Sequence, residues 1–320
     1  MGSYRLTTPI LPAIAADVAE GLLRQPKTLP PWLFYDATGS RLFEQITRLP
    51  EYYLTRCERE ILARYAREMI ERAGSNLSLV ELGAGTAAKT GTIIRALLRR
   101  QLRVEFYPVD VCASALQVAR QSLTAISDRV KVHPIVADYT QGLDGVAQLR
   151  GRKLALYLGS SIGNFEPEAA TVVLQTLRAH LRSGDALLLG TDLVKSESLL
   201  LPAYDDSAGV TARFNKNLLV RINRELDGQF DLHAFHHRAR WNDKCSRMEM
   251  HLESGKEQTV AIDRLGLQIP FRTGESIHTE NSYKHTTESV HSILHRSGFQ
   301  PEHTWMDRCG YFAVHLARAI

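Results

Sequence analysis

The sequence predicts an α/β protein: a mostly parallel sheet with helices on both faces, a final antiparallel strand, and a smaller α+β domain beside it. Three observations predict it. From residue 56 onward strands and helices alternate; VELGAGTAAKT, residues 80 to 90, is a strand ending followed by two glycines and small residues entering a helix; and the chain finishes on two strands too close together for a parallel crossover.

The elements follow in order. RCEREILARYAREMIERAG carries apolar residues at helical spacing and stops at Gly74, LSLVELG is a short apolar strand, and KTGTIIRALLRRQ is an amphipathic helix. VEFYPVD, a helix through ALQVARQSL, VKVHPIVADY, LALYLGSSIGNF, a helix near AATVVLQTLRAHLRSG, and DALLLGTDL continue the rhythm. SVHSILHRSGF is a helix with a glycine stop. PEHTWMD and YFAVHLARA are strands joined only by RCG, whereas a parallel crossover needs about a dozen residues, so this pair must be antiparallel. A Rossmann-like sheet finished this way is the arrangement of class I methyltransferases, and no second nucleotide-binding half is evident.

Two stretches fall outside that core. The expected division is 56–194 with 285–320 as an S-adenosylmethionine-binding domain, and 1–55 with 195–284 as a substrate-binding lid over the carboxyl ends of the strands. Within the second, FNKNLLVRINRELDG predicts a helix, and RMEMHLES with TVAIDRLGLQI alternate like paired strands.

Composition narrows the classes. With 320 residues, 44% hydrophobic and 23% charged, the chain has the make-up of a soluble globular protein of one large or two small domains. A net charge of +4 without a run of basic residues predicts no nucleic-acid or membrane patch. Cysteines 57, 112, 245 and 309 show no C-x-x-C pair, which points away from a zinc cluster or disulfide framework and toward reduced thiols in the cytoplasm. MGSYRLTTPI lacks the Ser or Thr of a myristoylation signal, and no apolar leader or span follows. The histidines, including His236-His237, lack metal-ligand spacing such as H-E-x-x-H, so no metal is expected.

The glycine turn alone leaves two ligands open. Gly83-Ala-Gly85-Thr-Ala-Ala88 fits the relaxed dinucleotide pattern, with Asp110 downstream as a ribose acid, and the same geometry serves S-adenosylmethionine. For the latter, Asp110 ends the second strand where it can accept both ribose hydroxyls, Asp138 ends the third near the adenine amino group, Glu81 can face the methionine ammonium, and Lys89 reaches its carboxylate or covers the helix. Asn164, in GSSIGNF after the fourth strand, offers an uncharged carbonyl and amide, which suits an amine that must keep its lone pair free. Read from its residues alone, TENSYKHT (279 to 286) is an exposed loop.

FYDATGSRLFEQITRLPEYYLTRCEREIL (34 to 62), VELGAGTAAKT, YLGSSIGNFEP, YDDSAGVTARFNKNLLVRINRELDGQFD (204 to 231) and TENSYKHT together resemble the histidine Nα-methyltransferases that begin ergothioneine biosynthesis, over almost the whole chain. The resemblance implies a two-domain monomer that trimethylates the α-amine of L-histidine to hercynine. It implies that Gly83, Lys89, Asp110, Asp138 and Tyr139 bind the methyl donor, joined by Gly85 of the glycine turn read above, and that Tyr52, Asn164, Tyr204, Glu280 and Ser282 bind histidine. Tyr35 and Phe43 would line the amine end of the pocket, with Tyr35 near the route of proton loss, and Met250 would border the ring. Two other readings remain at this point: methylation of another amino-acid amine, such as a tryptophan derivative, and a nicotinamide oxidoreductase.

Overall fold

A computed structural model of the chain describes residues 10–320 apart from 141, 142, 144, 145, 147, 148 and 150; the amino-terminal signal considered above lies largely outside the described residues. The chain divides into two compact units, Met1–Tyr52 with Ser196–Ser282 and Tyr53–Lys195 with Tyr283–Ile320, called here the first and second units.

The chain opens with α1 (Ile10–Leu23), the two-residue β1 (Lys27–Thr28) and α2 (Ala37–Ile46). The Asp36 side chain caps α2 by accepting from the Gly39 amide at 2.7 Å, which satisfies one of the amides a helix start leaves open. The second unit begins with α3 (Tyr53–Ala73) and continues through β2 (Leu77–Leu82), α4 (Thr90–Leu98), β3 (Val104–Asp110), α5 (Ala113–Thr124), β4 (Val130–Val132), β5 (Ile135–Val136), β6 (Arg152–Tyr157), α6 (Pro167–Ala179) and β7 (Ala186–Asp192). Back in the first unit come α7 (Glu197–Tyr204), α8 (Val210–Leu226), β8 (Phe235–Asn242), β9 (Arg247–Ser254), β10 (Gln258–Ile262), β11 (Leu267–Phe271) and β12 (Ser276–Tyr283). The second unit is completed by α9 (Thr287–Arg296), β13 (Phe299–Met306) and β14 (Phe312–Ala319).

The second unit is built on an eight-stranded sheet in the order β13-β14-β7-β6-β2-β3-β4, with β5 also on β3. Its pairs are parallel from β7 to β4, and β14 runs antiparallel to both β7 and β13, as the short terminal connection required. Every residue of β7 is buried, the run expected of a strand covered on both faces. Val80, Ala155, Leu187 and Leu189 of the sheet pack with Leu174 of α6 and Leu294 of α9 in one core. The predicted strand through VKVHPIVADY is split into β4 and β5 by the intervening His133-Pro134, since proline cannot donate to a ladder.

The first unit contains a four-stranded sheet, β1-β12-β9-β8, and a separate hairpin of β10 and β11. RMEMHLES therefore pairs with FHHRARWN, antiparallel, while TVAIDRLGLQI folds back on itself. TENSYKHT is not an exposed loop: its first five residues finish β12, and Thr279, Ser282, Tyr283, Lys284 and His285 are all buried. No described helix is long and apolar enough to cross a membrane.

Candidate active site

In the second unit, the chain leaves β2 through Gly83 at φ +61° and Gly85 at φ +52°, backbone conformations that favour glycine. A side chain built at Gly85 would meet nothing within 4 Å, so open space lies before that peptide. Asp110, the last residue of β3, holds the turn: one carboxylate oxygen accepts from the Gly85 amide and the other from the Cys112 amide, both at 2.8 Å. A carboxylate has about four acceptor positions, so capacity remains beyond these amides for a ribose hydroxyl, and the turn fits the adenosyl group expected of it. Burial raises the Asp110 carboxyl above its ordinary range, against the Cys112, Gly85 and Val111 amides that lower it.

The other residues expected to bind the methyl donor lie in the same unit. Tyr139 meets the Tyr157 phenol at 3.2 Å, its ring 3.6 Å from where a Gly83 Cβ would stand, and burial pushes its hydroxyl up to about 12, so it is a neutral wall. Asp138 accepts from both the amide and hydroxyl of Thr140, at 2.9 and 2.6 Å, through a single oxygen. Glu81 accepts from the Thr90 hydroxyl at 2.6 Å and is buried, which raises it to about 7. Lys89 is paired with Glu58, a fully buried acid on α3 whose other oxygen accepts from the Gly159 amide at 2.7 Å. Glu58 was not singled out above, although it shares a helical face with the buried Leu54, Ile61 and Leu62, and a charge on such a face is the signal.

Asn164 ends a short 3₁₀ turn, Ser161–Asn164, entered through Ser160 at φ +61°. Gly163 lies so near the main chain of Tyr283 that an added Cβ would be 2.8 Å from its carbonyl oxygen, and the Tyr283 hydroxyl donates to Glu166.

In the first unit, Tyr35, Phe43 and Tyr52 belong to one aromatic group. Phe43 stands edge-on to Tyr35 at 6.0 Å and to Tyr52 at 6.2 Å, and Phe214 of α8 joins them at 6.0 Å from Tyr35 and 5.9 Å from Phe43. Phe214, stacked on Phe34 at 4.5 Å, was missed because nothing in its helical pattern separates it from an ordinary core residue.

The polar residues of this unit form a second group. Tyr204 and Ser282 share a hydrogen bond of 2.7 Å between their hydroxyls, both buried. Behind Tyr204, His237 Nε2 donates to its carbonyl at 2.8 Å, Asn215 donates to His237 Nδ1 at 2.8 Å, and the one Thr279 hydroxyl proton is shared between the Asn215 side-chain oxygen at 2.8 Å and the Met250 carbonyl at 3.0 Å. Burial lowers His237, so its ring is the neutral Nε2–H tautomer this chain of bonds requires. Met250 is buried on β9. Glu280 is half-buried on β12, and its carbonyl accepts from His278 Nε2 at 3.1 Å. Asn215 and His237 were also missed, since their role is set by partners far along the chain.

One group of possible metal ligands stands among the described residues: Glu249, His251 and His278, with ligand atoms within 4.8 Å of one another. Glu249 already accepts from Asn242, Arg247 and His251, and the two imidazoles stack at 4.8 Å.

A sheet of this order, ended by an antiparallel hairpin and carrying a glycine turn tied to the acid at the end of the next strand, defines a class I S-adenosylmethionine-dependent methyltransferase. Comparison with known proteins refines this. The model of the histidine-specific, S-adenosylmethionine-dependent methyltransferases matches residues 14–319, and the chain belongs to that family. It is 43% identical over 317 residues to the histidine N-alpha-methyltransferase of Mycolicibacterium smegmatis, covering 99% of this chain and 98% of that one. It is also 43% identical over 305 residues to the protein of that name from Mycobacterium tuberculosis, covering 95% and 94%. Ergothioneine biosynthesis protein 1 of Schizosaccharomyces pombe is 30% identical over 283 residues, 85% of this chain and 36% of that one.

Proposed function

We propose that this protein methylates the α-amine of L-histidine three times to give hercynine, the first step toward ergothioneine. The near full-length identity to histidine N-alpha-methyltransferases carries the reading. The 2.7 Å Tyr204–Ser282 pair supports it, as a preset polar contact of the kind a ring with two nitrogens demands.

Bound S-adenosylmethionine supplies a methyl group already activated by its sulfonium. The task left to the protein is orientation and exclusion of water, effects that contribute about 7–11 kcal/mol at best. In this reading Asp110 accepts from the ribose hydroxyls, Asp138 meets the adenine amino group, and Tyr139 walls the site. Gly83 and Gly85 let the main chain approach, Glu81 takes the ammonium, and Lys89, shared with Glu58, takes the carboxylate. Glu280 accepts an imidazole N–H and Ser282, held by Tyr204, serves the other nitrogen; Met250 borders the ring. A pocket that pairs both ring edges rejects rings that leave those groups unpaired. Asn164 orients the neutral amine. Tyr35, Phe43 and Tyr52 present ring faces to the growing quaternary ammonium, which a cation–π contact favours. The enzyme acts as a cytoplasmic monomer, without a nucleic-acid, membrane or metal partner.

Each round releases a proton from the amine, and it escapes through water near Tyr35 rather than to a dedicated strong base. Tyr35→Phe should therefore shift the pH dependence of kcat; an unchanged profile in every methylation step refutes that role.

Glu81 gives donor binding a pH dependence of definite sign. Its folded value of about 7 lies above the ordinary 4.5, so near pH 6 it is protonated, and its contribution to stability is lost as pH rises toward 7. An ammonium beside it favours the carboxylate, so affinity for S-adenosylhomocysteine should climb between pH 5.5 and 7 by up to about tenfold per unit and then level. Calorimetry on Glu81→Gln should give a flatter curve; a slope equal to wild type removes Glu81 from the ammonium site.

The function itself is tested by incubating the protein with S-adenosylmethionine and each proteinogenic amino acid and weighing the products. Histidine alone should gain three methyl groups. Methylated tryptophan with histidine untouched would place the chain among methyltransferases of other amines, and tight NAD binding without methylation would make it an oxidoreductase.

A further inference from the structure

The chain passes from one unit to the other three times, after Tyr52, Lys195 and Ser282. Within the second unit, a residue at each of these passages reaches the same carboxylate. Asp192, the last residue of β7 and fully buried, accepts from the Tyr53 hydroxyl at 2.7 Å, from Lys195 Nζ at 2.6 Å and from Lys284 Nζ at 2.9 Å. Lys195 Nζ also donates to the Tyr53 hydroxyl at 3.0 Å and to the Leu193 carbonyl, and it stands 4.6 Å from the centre of the Tyr53 ring. The main chain of Asp192 is engaged as well: its amide donates to the Ser160 hydroxyl at 2.8 Å, at the entry to the turn that carries Asn164, and its carbonyl accepts from the His285 amide at 2.9 Å.

One carboxylate facing two ammoniums inside a protein is a costly way to hold a fold together, since apolar residues of similar volume are often as stable or more so; the best-attested gain from such a group is fixed registry. Burial lowers Lys195 from its ordinary value even with Asp192 beside it. What the group does have in common is position, because the three segments it ties are the three that lead to the histidine-binding residues.

We propose that Asp192 is a positioning residue for the methyl acceptor: from one point within the second unit it sets the spacing of the three chain ends Tyr53, Lys195 and Lys284 and of the entry to the Asn164 turn. This rests on the proposed function. It touches neither substrate nor donor, and it acts through Tyr53, Lys195, Lys284 and Ser160.

Asp192→Asn takes the carboxylate away from two buried ammoniums and is open to misfolding, so the test uses Lys195→Met, which leaves a neutral Asp192–Lys284 pair, and Tyr53→Phe, which removes the hydroxyl's bonds to Asp192 and Lys195. Each full-length variant is compared with wild type for S-adenosylhomocysteine affinity by calorimetry and for kcat and KM with histidine, well below its Tm. Expected are donor affinities within about twofold of wild type, with kcat/KM for histidine lowered at least tenfold in Lys195→Met and about fivefold in Tyr53→Phe. Unchanged kcat/KM beside an active wild type overturns the inference alone, as does a parallel loss of donor affinity, which marks a merely structural group. A wild type that does not methylate histidine overturns instead the functional reading beneath it.

Discussion

Replacing Glu280 by Ala should lower kcat/KM for histidine by roughly 10- to 150-fold while leaving S-adenosylhomocysteine affinity within twofold. A hydrogen bond to a charged group contributes about 1.5–3 kcal/mol, and that range gives the factor. Glu280→Gln keeps an acceptor and loses only the charge, so its loss should be nearer tenfold. Ser282→Ala acts differently: it takes the partner from the buried Tyr204 hydroxyl, 2.7 Å away, and should cost stability as well as histidine affinity. The separation of effects matters, because Glu280 and Ser282 lie in the first unit and the glycine turn in the second. Steady-state kinetics with calorimetry on the same samples checks this. An Ala variant at position 280 that methylates histidine at the wild-type rate and KM would remove Glu280 from the ring-binding role.

Asp110→Ala should have the larger effect on the donor. The carboxylate holds the Gly85 and Cys112 amides at 2.8 Å each, so its removal leaves those amides without their acceptor and deletes the ribose contacts proposed for it. Two lost hydrogen bonds at roughly 1.5 kcal/mol each amount to about 3 kcal/mol, or more than a hundredfold in donor affinity. Thermal unfolding should also come a few degrees lower. Asp110→Asn is the sharper variant, since its amide nitrogen cannot accept from either main-chain N–H and forces one contact to break. Donor affinity within tenfold of wild type in both variants would show that the adenosyl group is held elsewhere.

The residues differ in how far the sequence alone exposes them. The placement of the glycines and Asp110 was legible because it is local: a strand ends, the backbone must turn through positive φ, and an acid stands at the end of the next strand. Asp138 and Asn164 were legible for the same reason, each falling just after a strand. TENSYKHT was misread from its residues because its polar groups look solvated. The structure pairs Thr279 with Asn215, Ser282 with Tyr204 and Lys284 with Asp192, partners 64, 78 and 92 residues away. His237 and Asp192 were silent on the same ground, Phe214 because it looks like any core residue, whereas Glu58 did carry a signal in its charge on an apolar helical face.

What the sequence by itself determined was the sheet, its direction and its antiparallel ending, because hydrophobic period and connection length are properties of neighbours along the chain. It also carried the family, through motifs spread over nearly all 320 residues. Only the tertiary structure decided which strand β9 pairs with, which side chains build the aromatic group, and that one buried acid gathers Tyr53, Lys195 and Lys284. The physical reason is that burying a polar or charged group is tolerated only with a partner, and the identity of that partner is fixed by folding and not by spacing.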